Sequence, residues 1–316
     1  MYNLLAIIGP TACGKTTLAV RVAHTLGGEI ISADSRQVYR DMNIGTGKDL
    51  ADYNFKGKTI PYHLIGIVDA GYKYNVFEYQ KDFFKVWEDC RARGVFPILC
   101  GGSGLYVEAV LKRYRLTDVP VNEELRQSLS SKSLEELTQI LASYKKLHNK
   151  TDTDTAERAI RGIEIEEYYR SKPYSDTELP QIKPLIIGVS VSQQERRRRI
   201  TERLHKRLDE GMVEEVRSLL AKGLTPDSLI YYGLEYKYIT LYLTNLLSYE
   251  DMVEQLNIAI HQFAKRQMTW FRKMERERGR GEGNGAHIHW LEQELSEDEK
   301  VARILSELKK RYKTVP

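Results

Sequence analysis

Hydrophobic residues follow two periods along this chain. Short unbroken apolar runs, suited to strands covered on both faces of a parallel sheet, alternate with longer stretches whose apolar residues recur at helical spacing. The strand set is 4–8 (LLAII), 29–33 (EIISA), 64–68 (LIGIV), 95–100 (VFPILC) and 184–192 (PLIIGVSVS). Between them, 17–26 (TLAVRVAHTL) and 76–93 carry helical spacing, the first stopped at Gly27-Gly28. This alternation predicts an α/β fold, a parallel, doubly wound sheet flanked by helices. Ligands of such sheets sit at the carboxyl ends of the strands, where Gly14, Asp34 and Gly101-Gly102 fall.

The pattern changes at 116–149. This segment is polar, and Leu134, Leu137, Leu141, Tyr144 and Leu147 keep helical spacing. It predicts a small all-helical insertion between two parts of the core, 1–115 and 150–316. A helix is expected over 155–170, followed by a loop with Pro173, Pro180 and Pro184. One long amphipathic helix is expected over 193–222, with Ile200, Leu204, Leu208 and Val216 on one face and a stop at Gly223. Another is expected over 250–276, then a flexible loop at 279–286 (GRGEGNGA) and a surface helix at 296–312.

Composition narrows the class without choosing a function. The 316 residues are 41% hydrophobic and 29% charged, as in ordinary soluble proteins. The net charge of +4 permits an anionic partner but does not demand one. No apolar run approaches the roughly 18 residues of a membrane span. The opening MYNLLAIIGP has no basic leader and ends in a glycine loop, so it is a strand rather than a signal segment. Three cysteines, Cys13, Cys90 and Cys100, form no CxxC pair, which points to a reducing compartment and the cytoplasm. Nothing demands a dimer, so a monomer is expected.

The chemistry begins at Gly9, Pro10, Thr11, Ala12, Cys13, Gly14, Lys15 and Thr16, a full G-x-x-x-x-G-K-[ST] phosphate loop between a strand and a helix. Its glycines let backbone N–H groups face a phosphate, Lys15 adds charge, and the Thr16 hydroxyl can hold Mg²⁺. A nucleotide hydrolase would usually add a strand ending in an acid; 95–100 ends in Cys100-Gly101-Gly102 instead. Asp34 could take that part. Alternatively it is a solvated loop acid, a helix cap, or a general base beside a phosphate.

Basic runs leave two readings each. Arg196 to Arg199 spread around a helix, either as a solvated face or as phosphate contacts. Lys265, Arg266, Arg272 and Lys273 flank Trp270, which suits an RNA backbone; for Trp270 itself, core packing is an equal alternative. His287 and His289 lack the further ligands of a zinc site.

Four blocks then carry a resemblance: GPTACGKT, SADSRQVYRDMNIGT (32–46), PILCGGSGLY (97–106) and AKRQMTWFR (264–272). In order and spacing the chain resembles the bacterial tRNA dimethylallyltransferases, with weaker echoes at 62–69, 157–165 and 199–216, over about 1–275. The resemblance implies a P-loop NTPase-like, nucleotide-kinase-like fold whose insertion grips the tRNA anticodon stem. The reaction would move a dimethylallyl group from dimethylallyl diphosphate to N6 of adenosine 37. Asp34 would be the catalytic carboxylate, Thr11 to Thr16 the diphosphate site, and Arg203 a further hold on the diphosphate. Asp34, Ser35, Arg36, Gln37, Ser103, Arg126, Glu157, Arg158, Ala159, Ile160 and Arg161 match tRNA-facing positions, as do Tyr236 and Lys237 in the 231–238 run. Tyr39 and Tyr106, lying in matched blocks, are the favoured base-stacking tyrosines. The chain departs from the family at Glu235, where glycine is usual, at His261-Gln262, at 151–155, and in an insertion on the short side. Prenylation of a free adenine nucleotide, and phosphoryl transfer by a small-molecule kinase, remain as alternatives.

Overall fold

A computed structural model of the chain describes residues 1–147, 153–171, 179–276 and 287–310. The flexible loop expected at 279–286, Pro173, and the last two residues of the expected 296–312 helix lie outside the described residues.

The chain begins with β1 (Leu4–Ile8), α1 (Lys15–Leu26) and β2 (Glu29–Ala33). A short antiparallel pair, β3 (Asn54–Phe55) and β4 (Lys58–Thr59), precedes β5 (Tyr62–His63). Next come α2 (Val76–Ala92), β6 (Pro97–Gly101) and α3 (Gly104–Leu111). Three helices follow: α4 (Glu123–Leu129), α5 (Leu134–Tyr144) and α6 (Ala156–Ser171). The remainder is β7 (Pro184–Gly188), α7 (Gln193–Asp209), α8 (Met212–Ala221), α9 (Pro226–Tyr231), α10 (Leu234–Leu243), α11 (Tyr249–Arg276), β8 (Ile288–Trp290) and α12 (Glu297–Lys310).

The sheet is parallel, in the order β5-β2-β6-β1-β7-β8. β1, β2 and β6 are buried along their whole length, which is why their runs are apolar without alternation. Register brings their carboxyl ends level: Ile8 and Ala33 both pair with Gly101. A Cβ at Gly101 would lie 2.2 Å from the Ala33 carbonyl oxygen, so only glycine allows this approach. One face of the sheet buries Leu5, Ile7, Ile30 and Ile98 against Leu18 and Val22 of α1 and Ile304 of α12.

Four expectations change. Residues 64–68 are not a strand: Leu64 and Gly66 both take φ of 62°, which turns the chain off the sheet. Instead the segment fastens onto the loop after β2. Gly66 N–H donates to Gln37 O at 2.8 Å, Ile67 N–H to Val38 O at 2.8 Å, and Arg40 N–H to Val68 O at 2.7 Å. The strand expected over 184–192 stops at Gly188. The single helix expected over 193–222 is two, broken at Gly211, whose φ of 96° no helix accommodates. Finally, the inserted unit is larger than 116–149. Residues 115–179 form one compact unit, and 1–114 with 180–316 form the other. Within the smaller unit Ala159 and Ile163 of α6 share a core with Leu129, Leu137 and Leu141. Gly162 allows the closeness, since a Cβ there would meet Leu141 at 2.9 Å. α6 therefore belongs to the insertion, because its apolar side packs on α5.

Candidate active site

The site lies where β1, β2 and β6 end. The loop from β1 to α1 is tight: Gly14 takes φ of 86° at the start of α1, and a Cβ at Gly9 would lie 2.2 Å from Val189 O. Lys15 folds back over the loop, its Nζ donating to Pro10 O at 2.5 Å. Thr11 is held twice. Its N–H donates to Gln267 Oε1 at 2.8 Å, and its hydroxyl accepts from Arg203 Nη2.

β2 delivers Asp34, whose Oδ1 accepts the Arg36 N–H at 2.9 Å in a local turn. The turn is tied to its surroundings at two points. Ser35 N–H donates to Ser103 Oγ at 2.9 Å, and Gln37 Nε2 donates to Gly47 O at 2.9 Å. The following loop is pinned by Glu215 of α8, whose carboxylate accepts the N–H groups of Asn43, Ile44 and Gly45 at 2.7, 2.8 and 3.0 Å.

Thr11, Gly14, Lys15, Thr16, Asp34, Gln37 and Arg203 thereby line one cavity of about 170 Å³, together with Asp49, Asp52 and Gln267. Burial, and the charge of Arg207 next to it, lower Arg203 to about 10; it stays cationic at neutral pH. Burial pushes the Cys100 thiol up to about 12, so it is no nucleophile at neutral pH. Asp52 is raised by burial and by the charge of Asp49. Cationic groups and backbone N–H donors thus face carboxylates across a small space. Thr16 with Asp34, Asp49 and Asp52 offers hard oxygen donors of the kind Mg²⁺ takes. Such a site can stabilise a departing phosphate oxygen on one side and accept a proton on the other.

The predicted RNA-facing residues divide. Ser35, Arg36, Gln37 and Ser103 gather around Asp34, and Arg36 lies 5.6 Å above the ring of exposed Tyr231. In the inserted unit Arg126 makes a two-bond contact to Glu164 at 3.1 and 3.0 Å, and Arg161 pairs with the same carboxylate. Glu157 is exposed, and Arg158 pairs with Asp154 at 2.7 Å. Ala159 is fully buried, so its side chain is no surface group, and Ile160, partly buried, packs against the same small core. Tyr236 is only 1% exposed; its hydroxyl donates to Glu215 Oε1 at 2.7 Å, making it a support of the 43–45 loop, while Lys237 beside it is exposed. Tyr39 packs edge-on against Tyr232, and Tyr106 stacks on Tyr79 with centroids 4.0 Å apart; both are core residues rather than open stacking platforms.

Trp270 covers Gly104, where a Cβ would come within 2.5 Å of the indole, so packing accounts for it. Lys265, Arg266, Arg272 and Lys273 on the same helix are exposed. In the arginine run, Arg198 and Arg199 pair with Glu195, and Arg198 also with Glu202, the pattern of a solvated helix face. His287 and His289 lie ring against ring at 4.2 Å. Among the described residues, one cluster has metal-ligand spacing: Glu29, His63 and Cys90. Its cationic place is taken by Arg93, whose guanidinium donates to both Glu29 oxygens at 2.7 Å.

Sequence reasoning missed Gln267, Glu215, Asp49 and Asp52. Gln267 stands inside the AKRQMTWFR block, but nothing in the block tells which of its polar side chains turns inward.

Comparison with known proteins gives the family. The IPP transferase family matches residues 37–274. The tRNA dimethylallyltransferase 1 of Parabacteroides distasonis is 63% identical over 301 residues, covering 95% of this chain and 96% of the relative. The tRNA dimethylallyltransferase 2 of Bacteroides fragilis is 59% identical over 308 residues, covering 98% of each. Among solved structures, the tRNA isopentenylpyrophosphate transferase of Bacillus halodurans superposes with a TM-score of 0.70 at 30% identity, covering 98% of this chain and 96% of that one. These likenesses bear out the expected P-loop NTPase-like fold.

Proposed function

This chain belongs to the IPP transferase family, and we propose that it transfers the dimethylallyl group of dimethylallyl diphosphate to N6 of adenosine 37 in the tRNA anticodon loop. The observation that carries the reading is the shared cavity: the P-loop with Lys15, Thr16 and Arg203 faces Asp34 across about 170 Å³.

The chemistry needs both walls. An exocyclic adenine amine is a weak nucleophile because its lone pair is delocalised into the ring. In the proposed step the N6–carbon bond forms while the carbon–oxygen bond to diphosphate breaks. The amine proton passes to Asp34, and the leaving diphosphate takes the bonding electron pair. Lys15, Arg203 and the loop N–H groups stand where negative charge grows on the leaving oxygens. Thr16 would help hold Mg²⁺, which would supply further charge neutralisation there. The adenine must leave its stack to enter, which costs least in a single-stranded loop. The exposed cations of α11, with Arg36 and Lys237, supply charge for the RNA backbone. None of the described helices is long and apolar enough to cross a membrane. The proposed setting is the cytoplasm, and the proposed state a monomer.

Labelled dimethylallyl diphosphate with Mg²⁺, offered with unmodified tRNA or with AMP, tests the reading. Label in tRNA is expected. Label only in AMP would move the acceptor to the free nucleotide, and ATP turnover without prenyl transfer would replace the reading by a kinase.

A further inference from the structure

α11 turns its basic residues outward and sends one amide into the cavity. Gln267 is 8% exposed. Its Oε1 accepts the Thr11 N–H at 2.8 Å, and its Nε2 donates to Gly102 O at 2.9 Å. Both ends of the amide are used, and only an amide of this length offers an acceptor to one loop and a donor to the other. Gly102 is shaped for the contact: a Cβ there would stand 2.5 Å from Nε2. One residue further, Ser103 Oγ accepts the Ser35 N–H at 2.9 Å, and Ser35 follows Asp34 directly. A line of hydrogen bonds therefore runs from the P-loop through Gln267 and the Gly102-Ser103 corner to the Asp34 turn.

We infer that Gln267 is a positioning residue whose amide sets the spacing between the diphosphate cradle and the proton-accepting carboxylate. The inference rests on the prenyl-transfer reading of the same cavity. Gln267 touches neither reacting atom. It takes the Thr11 N–H, so the diphosphate is received by the rest of the loop, by Lys15 and by Arg203. In-line displacement requires the amine, the allylic carbon and the leaving oxygen to be aligned, and a displacement of about 1 Å at such a site costs on the order of 100-fold. A link joining the two walls acts on that alignment. It does not act on how tightly RNA binds to the outer face of α11.

The test is steady-state transfer from dimethylallyl diphosphate to an unmodified anticodon stem-loop RNA, for wild type, Gln267→Ala, Gln267→Met, Ser103→Ala and the Gln267→Met/Ser103→Ala double variant. Methionine matches the length and packing of glutamine and makes neither hydrogen bond, so it keeps the test valid if alanine unfolds the protein. The expected result for Gln267→Met is a kcat lower by about 10- to 100-fold, with KM for RNA within about twofold and a melting temperature lowered by only a few degrees for the two lost hydrogen bonds. The double variant is expected to be no more than about threefold slower than Gln267→Met, because both changes cut the same line. A wild-type kcat in Gln267→Met, or effects of the two changes that multiply in full, would overturn the inference. If wild type itself transfers nothing to RNA, the prenyl-transfer reading falls, and the positioning role falls with it.

Discussion

The two ends of β2 each carry a carboxylate, and their surroundings differ in kind. Glu29, at the amino end, is clasped by both guanidinium nitrogens of Arg93 at 2.7 Å and by His63 at 2.8 Å. The Arg93 hydrogen bonds lead in holding it down to about 2, with His63 adding to them against the cost of burial. Asp34, at the carboxyl end, faces the cavity and accepts its hydrogen bond from the Arg36 backbone. Around Asp34 the strong contacts are made by other groups: Ser103 holds Ser35, Gln37 holds Gly47, and Glu215 holds the 43–45 backbone. A carboxylate surrounded by cations is spent on stability. One whose neighbours are tied to each other keeps its capacity for a ligand. Glu164 of the inserted unit follows the Glu29 pattern, with Arg126 and Arg161 both engaged on a side chain buried in that unit.

The comparison can be broken by exchanging what each carboxylate is expected to do. The largest effect belongs to Asp34→Ala: transfer should fall by about 10²- to 10⁴-fold, the range of a lost general base, while RNA binding and melting temperature hold. Near-wild-type turnover in this variant, measured with labelled donor, would remove Asp34 from the mechanism. Arg203→Ala should cost about 10²- to 10³-fold in kcat and weaken pyrophosphate inhibition, since it removes a buried cation from the leaving-group side. Equal inhibition by pyrophosphate in wild type and variant would place the donor elsewhere.

Glu29→Gln should do the converse. Transfer is expected within about twofold of wild type, with a loss of stability of about 1–3 kcal/mol at neutral pH, reduced by solvent around the half-exposed Arg93. The sign in pH follows from the direction of the shift. Glu29 in the folded protein lies below the unfolded carboxylate value of 4.5, so its contribution is complete above about pH 4.5 and fades as the pH falls toward 2. Urea denaturation at pH 7 and pH 3 should therefore separate wild type from Glu29→Gln more at pH 7. A constant difference would show that the clasp is not linked to protonation.

The P-loop, the strands β1, β2, β6 and β7, and α1, α2 and α11 are legible in the sequence because each depends on local rules: apolar runs, helical spacing and glycine at a tight turn. The short edge strands β5 and β8 carry no such run. Segment 64–68 shows the limit of those rules. Its apolar run is real, and Leu64 is 5% exposed, but two residues at positive φ make it a strap over the Asp34 turn instead of a strand. The helix over 193–222 failed for a similar reason, since its apolar face continues across Gly211 while the backbone does not. Tyr236 and Ala159 lie in blocks that match the family, yet their side chains are buried. A match in sequence places a residue near a function without saying which way it points.

By itself, then, the chain's pattern of residues determined the phosphate loop and the class of sheet, because these rest on apolar runs and backbone geometry within a few residues. Only the tertiary structure decided that Gln267, from a helix far along the chain, closes the same cavity as the P-loop, and that α6 joins the inserted helices. Those outcomes depend on which faces pack together. Packing is settled by shape and burial across the whole core, which no local spacing encodes.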